Sequence, residues 1–303
     1  PLPEAEADEP QPQPLNESSP TQTQSQPLLH FTISEAPKSI YKVGYHPITA
    51  SELNRLNNYV QHLQEAAKWY DETLADSKVT YFVKDEDEIN SIEITFEKKQ
   101  FMHLTGIYLV KQGITSSIAL DNIIQGQGHY DNIYLANKNA AFSKLQIMPE
   151  LKAIADSSSF YFNDVSDIKK FQRLDASKAI RTKGNELVLA LRTDDGKTFP
   201  ASLMKPGKTL NIQMDETAEE RAILGIYRKK GGKIDTLSVN ERYILDGGKE
   251  MLEIMKNNDF SLVQSESQGI KRKQSLATLD SDGDGLSDEV EIARGTNPYS
   301  PDS

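Results

Sequence analysis

Residues 49–96 read TASELNRLNNYVQHLQEAAKWYDETLADSKVTYFVKDEDEINSIEITF, and the apolar period changes once within them. Thr49 and Glu52 have the spacing of a capping box, in which hydroxyl and carboxylate satisfy the free amides of a helix start. Leu53, Leu56, Val60, Leu63, Ala67, Tyr70 and Leu74 then recur at three- and four-residue steps. That spacing predicts an amphipathic helix to about residue 75, with Trp69 near its buried face. From Val79 the period is two: Val79, Tyr81 and Val83, then Ile92, Ile94 and Phe96, on either side of the acidic run Asp85 to Glu88. This predicts a β-hairpin with a polar turn.

Downstream, helical segments are predicted near 115–125 and 140–155, the second carrying Phe142, Leu145, Leu151 and Ile154. The second half reads as short strands at 160–162, 187–191, 199–204 and 223–227. They are parted by turn formers at Asp194-Asp195-Gly196-Lys197, Pro206-Gly207 and Gly231-Gly232. A last helix is expected at 249–255. The fold class is therefore α+β, with N-terminal helices packed on an antiparallel β-meander over residues 37–256.

Upstream, residues 1–36 hold half of the prolines and six acids with no Lys or Arg. Such a chain buries too little apolar area to offset its ordering entropy, so it reads as a disordered acidic linker. The first residues, Pro-Leu-Pro-Glu, suggest a processed or excised piece. A second linker, rich in Ser, Gln and Lys, is expected over 257–279.

The net charge of −11 is concentrated at the ends: residues 280–303 carry seven acids against Arg294, which leaves 37–279 at +1. The middle can accept a polyanion without being basic enough to announce one. The absence of cysteine excludes disulfides, thiolate catalysis and thiolate-bound zinc. His46, His62 and His129 show no zinc spacing, and neither a phosphate loop nor a Gly-x-Ser-x-Gly elbow occurs. No apolar run reaches membrane-spanning length.

Residues 280–291 are Asp280-Ser-Asp282-Gly-Asp284-Gly285-Leu286-Ser-Asp288-Glu-Val-Glu291. Calcium takes six to eight hard oxygens, supplied in a twelve-residue loop from positions 1, 3, 5, 7, 9 and 12. Those positions hold Asp280, Asp282, Asp284, the carbonyl of Leu286, Asp288 and Glu291, the last placed to bind with both oxygens. Gly285 stands where the chain must turn sharply. The flanks are unlike a paired EF-hand, since Lys271-Arg-Lys-Gln-Ser-Leu276 is no apolar entering helix. With the following Gly295-Thr-Asn-Pro298 and Pro301-Asp302, the segment 280–303 resembles a bacterial thrombospondin type 3 repeat, cut off in its array. That resemblance implies Ca2+ binding and export.

Between hairpin and middle helices lies Phe96-Glu-Lys98-Lys99-Gln-Phe101-Met-His103-Leu104-Thr105-Gly106. A strand ending in Phe-x-Lys-Lys, then Phe-x-His-Leu-x-Gly, resembles the barnase–EndoU–colicin–RelE-like nuclease domains of phages and conjugative elements, in particular the fourth phage-type group. Tyr70 before the hairpin, and Lys144-Leu145, Phe160-Tyr-Phe162 and Phe199 to Lys205 after the motif, keep the family's order, so the likeness spans roughly 48–256. It implies a metal-independent ribonuclease acting on RNA, in a mobile-element or exported toxin-type protein.

Such cleavage needs a base for the 2′-hydroxyl, an acid for the leaving oxygen and a cation for the phosphorane. His103, the residue carried over by the motif, fits the base or the acid because imidazole titrates near neutrality. Lys98, Lys99, Arg181, Arg192 and Lys205 are candidate cations, and Ser202 a candidate phosphate donor, on their chemistry alone. The alternative is a non-catalytic binding or structural module of a calcium-stiffened surface protein, with His103 merely packed.

Overall fold

The computed structural model describes residues 27–85 and 88–257. Two short strands, β1 (Thr32–Ile33) and β2 (Tyr45–Pro47), precede α1 (Ala50–Asn57) and α2 (Val60–Thr73). The hairpin β3 (Ser77–Asp85) and β4 (Glu88–Phe96) leads into α3 (Gln100–Thr105) and β5 (Ile107–Val110). Next come α4 (Ser116–Ile124), β6 (His129–Tyr130), β7 (Asn132–Ala136), α5 (Ala140–Gln146) and a 3-10 helix at Met148–Ala155. Strand β8 (Phe160–Phe162), α6 (Lys169–Gln172), β9 (Lys178–Arg181), β10 (Val188–Asp194) and β11 (Lys197–Met204) follow. The last described elements are α7 (Lys208–Thr217), β12 (Glu220–Lys230), β13 (Lys233–Val239) and α8 (Lys249–Asn257).

The protein is α+β, but its strands do not form a simple antiparallel meander. They run in the order β12-β3-β4-β11-β10-β9-β8, and β8 pairs with β12 again, closing a barrel of seven strands. Strand β13 adds to the outside of β12, and β4 meets β11 in parallel at Ile94 and Thr198. Closure follows from strands that are apolar on both faces, because an open sheet of such strands would expose one of them. In β10, Leu189 and Leu191 join the central core shared with α2, while Val188 and Ala190 join a second cluster with Phe171 of α6 and Met214 of α7. In β3, Val79, Tyr81 and Val83 face that central core and Phe82 packs under α8.

Most expected elements are present with shifted bounds. The hairpin keeps its register, Asp85 opposite Glu88 and Ser77 opposite Phe96. The capping box forms, with Glu52 N–H donating to Thr49 Oγ1 and Thr49 N–H to Glu52. The helix expected to run to residue 75 is broken at Asn58–Tyr59. That expected at 140–155 tightens into a 3-10 turn at Pro149, which has no amide to continue the α ladder.

The N-terminal boundary needs correction. Residues 27–36 were expected inside the linker, yet Leu29 and Phe31 are fully buried in the main core. Asn57 accepts from Phe31 N–H at 2.7 Å and donates to its carbonyl at 3.0 Å, as a neighbouring strand would. Gln64 accepts from Leu29 N–H at 3.2 Å and donates to the carbonyls of Pro27 and Ile124 at 3.0 and 3.1 Å. Gly126 and Gly128 let this segment pass: a Cβ at 128 would lie 1.9 Å from the His30 carbonyl oxygen, and one at 126 would lie 2.3 Å from that of Pro27. Residues 1–26, the 257–279 linker beyond Asn257, and the 280–291 loop lie outside the described residues.

Candidate active site

Each residue of the Phe101-x-His103-Leu104-x-Gly106 motif has a local task. Phe101 and Leu104, three apart on the single turn of α3, are fully buried. The Phe101 ring lies 5.2 Å from that of Tyr70, whose hydroxyl donates to the Glu97 carbonyl at 2.9 Å. Thr105 Oγ1 donates to the Met102 carbonyl and accepts from Ile107 N–H, which locks the exit of the turn. Gly106 ends α3 in the left-handed region at φ +73°, and a Cβ there would press on Ala141, Ala136 and Lys144 at 3.2–3.3 Å. With both anchors inward and the end fixed, His103 is left on the exposed side of α3.

His103 lies on the wall of a cleft of about 790 Å³ between α3 and the β10–β11 hairpin. Lys99, Arg173, Arg192 and Lys197 line this cleft, interleaved with Glu97, Asp194 and Asp195. Asp195 and Gly196, at φ +47° and +72°, form the two-residue turn that joins β10 to β11. On β11, Ala190 pairs with Ser202 and Leu191 with Pro200, so Ala201 is the extra residue of a β-bulge. A hydrogen bond to the Ala201 backbone favours charged His103, but the wider surroundings prevail. The concave wall takes water from around the exposed ring, and the charges of Lys144, Lys42 and Arg192 oppose protonation. The imidazole pKa is therefore lowered.

Lys144, from α5, donates through Nζ to the His103 carbonyl at 3.2 Å. Burial brings its pKa down from 10.5 to about 8. The sequence placed Lys144 only as part of a pattern, and its contact with a residue 41 positions away has no local signal.

The other sequence-derived candidates separate into two groups. Lys99 and Arg192 do line the cleft: Lys99 pairs with Glu97 at 2.9 Å, and Arg192 lies 5.1 Å from the Phe199 ring centroid. Arg181 is not brought there. It is buried between Asp215 of α7 at 2.7 Å and Glu220 of β12 at 2.5 Å, a clamp next to the barrel closure. Ser202 is also buried, its hydroxyl donating to the Leu203 carbonyl at 3.3 Å. Lys98 is tied to Asp121 at 2.6 Å and Asp71 at 3.3 Å, and exposed Lys205 follows the end of β11. Arg173 and Lys197 are cleft cations that the sequence reading missed. Among the described residues, no three His, Asp or Glu side chains gather as a metal site, and no helix is long and apolar enough to cross a membrane.

No curated protein and no solved structure matches the chain. Residues 280–301 match the bacterial TSP3 repeat, a calcium-binding repeat type, in the order expected from the sequence. Residues 62–245, spanning α2 through β13 and the whole cleft, match the family described as phage-Barnase-EndoU-ColicinE5/D-RelE like nuclease4. With most of its length covered by that match, the chain belongs to this nuclease-like family.

Proposed function

We propose that the domain cleaves RNA by metal-independent transesterification in the His103 cleft. The observation that carries this is His103 exposed on a concave wall, with Lys144 bonded to its own carbonyl and Arg192 in the same cleft. A lowered pKa leaves the imidazole neutral at physiological pH, the form a base requires. His103 takes the 2′-hydroxyl proton as that oxygen attacks phosphorus. The bond to the 5′-oxygen breaks, and this oxygen is protonated from solvent. Lys144 and Arg192 offset the charge that builds on the phosphorane. Lys99 holds the substrate backbone at the cleft mouth, whereas Arg181 and Ser202 act in the scaffold. An exposed His103 favours this reading over a non-catalytic module in which it only packs.

The remaining segments complete the proposal. Residues 257–279 link the nuclease-like domain to 280–303. There Asp280, Asp282, Asp284, the Leu286 carbonyl, Asp288 and Glu291 hold Ca2+ through hard oxygens. A calcium-braced segment joined to a nuclease suits a bacterial toxin-type or mobile-element protein that is exported or transferred. Analysis of product ends tests the chemistry. RNA treated with the protein in a chelator should carry 2′,3′-cyclic phosphate, whereas a requirement for added metal or 3′-hydroxyl ends would overturn it.

A further inference from the structure

The loop before β2 shows an arrangement that the cleavage chemistry leaves unused. It is pinned at both ends to β7 and its flanks: Ile40 N–H donates to Tyr134 Oη at 2.7 Å, and Asn137 N–H donates to the Gly44 carbonyl at 2.9 Å. Between these ties Tyr41 is 91% exposed and Val43 78%. Lys42 turns its ammonium over Tyr108, 3.9 Å from the ring centroid, and lies 5.3 Å from that of Tyr45. The two rings meet edge to face at 6.3 Å.

This cluster lies beside the turn that carries His103, outside the residues that line the cleft. Ala136 N–H donates to the Gly106 carbonyl, and the next residue donates to Gly44, so consecutive amides set the loop beside the end of the His103 turn. Tyr108 is two residues past Gly106. Lys42 is near enough for its charge to oppose protonation of His103.

A held loop that exposes the Tyr41 ring, and whose next residue sets a cation over Tyr108, has the two parts used to hold single-stranded nucleic acid. The rings stack bases of any sequence, and the ammonium meets a phosphate. A protein partner would call for a wider apolar patch with a polar rim, not three tyrosines interleaved with a lysine beside a reactive histidine. We propose that Tyr41, Lys42, Tyr45 and Tyr108 form a nucleobase-stacking subsite for the nucleotide flanking the one that reacts at His103. The proposal rests on the ribonuclease reading of the cleft.

A single-stranded 2′-deoxy hexanucleotide lacks the attacking hydroxyl, so its binding to the full chain reads the subsite without cleavage. By fluorescence anisotropy, Tyr41→Ala should weaken binding about tenfold, the scale of one base–aromatic stack, and Tyr41→Phe should restore it. Lys42→Gln should also lower the salt slope of binding by about one phosphate. On a hexanucleotide RNA, the loss for Tyr41→Ala should fall in KM more than in kcat. Because Tyr41 is exposed, the melting temperature should not move with it. Equal affinities of wild type and Tyr41→Ala would overturn the subsite and leave the cleavage reading intact. So would a loop that binds a protein ligand while oligonucleotide affinity ignores its substitution. If the hexanucleotide binds through Tyr41 but wild type leaves RNA uncut, stacking at Tyr41 is binding alone, and the cleavage reading fails together with the subsite's place beside a reacting nucleotide.

Discussion

The Lys144 ammonium donates to the backbone carbonyl of His103 at 3.2 Å, tying α5 to the C-terminal end of the turn that carries the imidazole. A cation suits this position, since the carbonyls at a helix end carry partial negative charge and that of His103 has room for a second donor beside the Gly106 amide. Burial nevertheless weakens Lys144's hold on its proton, to a pKa of about 8. Fixing the His103 turn and supplying charge beside it are thus two effects of one side chain, and pH separates them.

If Lys144 must be charged, activity falls as pH rises through about 8, while the acid limb lies below 6.5 because His103 must be neutral. Lys144→Met should lower kcat/KM by roughly 100-fold or more and abolish the alkaline limb. Stability carries the same signature. The unfolded chain holds this proton more tightly than the folded one, so stability should rise with pH between about 8 and 10.5. Lys144→Met should flatten that rise in urea titrations. An alkaline limb that persists in the variant would assign it to another group.

Docking of residues 27–31 predicts a cost where the composition of the leader suggested none. Phe31→Ala should remove about 3–5 kcal/mol of unfolding free energy, as expected for a buried Phe. Gly128→Ala should remove about 1–3 kcal/mol, because its Cβ would meet the His30 carbonyl. Denaturant curves matching wild type in both variants would place the segment off the core.

What was legible in the sequence follows the range of the interactions. Thr49 with Glu52 acts within one turn, so spacing alone revealed it; Phe101-x-His103-Leu104-x-Gly106 is as local, but it was its resemblance to the family motif that singled it out. The β3–β4 hairpin was equally local. Barrel closure was not, because the three-residue β8 is joined to β12 by only three pairs, Phe162 with Glu220 among them, between strands far apart in sequence. Residues 27–31 were misread as linker because their apolar residues are few, and their anchors are the side chains of Asn57 and Gln64 on two helices. Arg181 and Ser202 have the chemistry of site residues, but only the packing reveals that one closes an ion-pair clamp and the other is buried.

The repeat at 280–301 predicts calcium binding governed by Glu291. Calorimetry on the full chain should show Glu291→Gln binding calcium roughly tenfold more weakly or worse, because one of two carboxylate oxygens is lost. Equal affinity in the two proteins would remove Glu291 from the ligand set.

The central claim is that His103 performs proton transfer rather than structural packing. The most direct measurement is the rate of RNA cleavage by the full chain in a chelator, wild type against His103→Ala, with thermal melts of both. The account predicts a rate at least about 100-fold lower in the variant, the scale of one lost acid–base group. Its melting temperature should stay within a few degrees of wild type, since the side chain is exposed. A variant that cleaves as fast as wild type, or a wild type that leaves diverse RNAs intact, would contradict it.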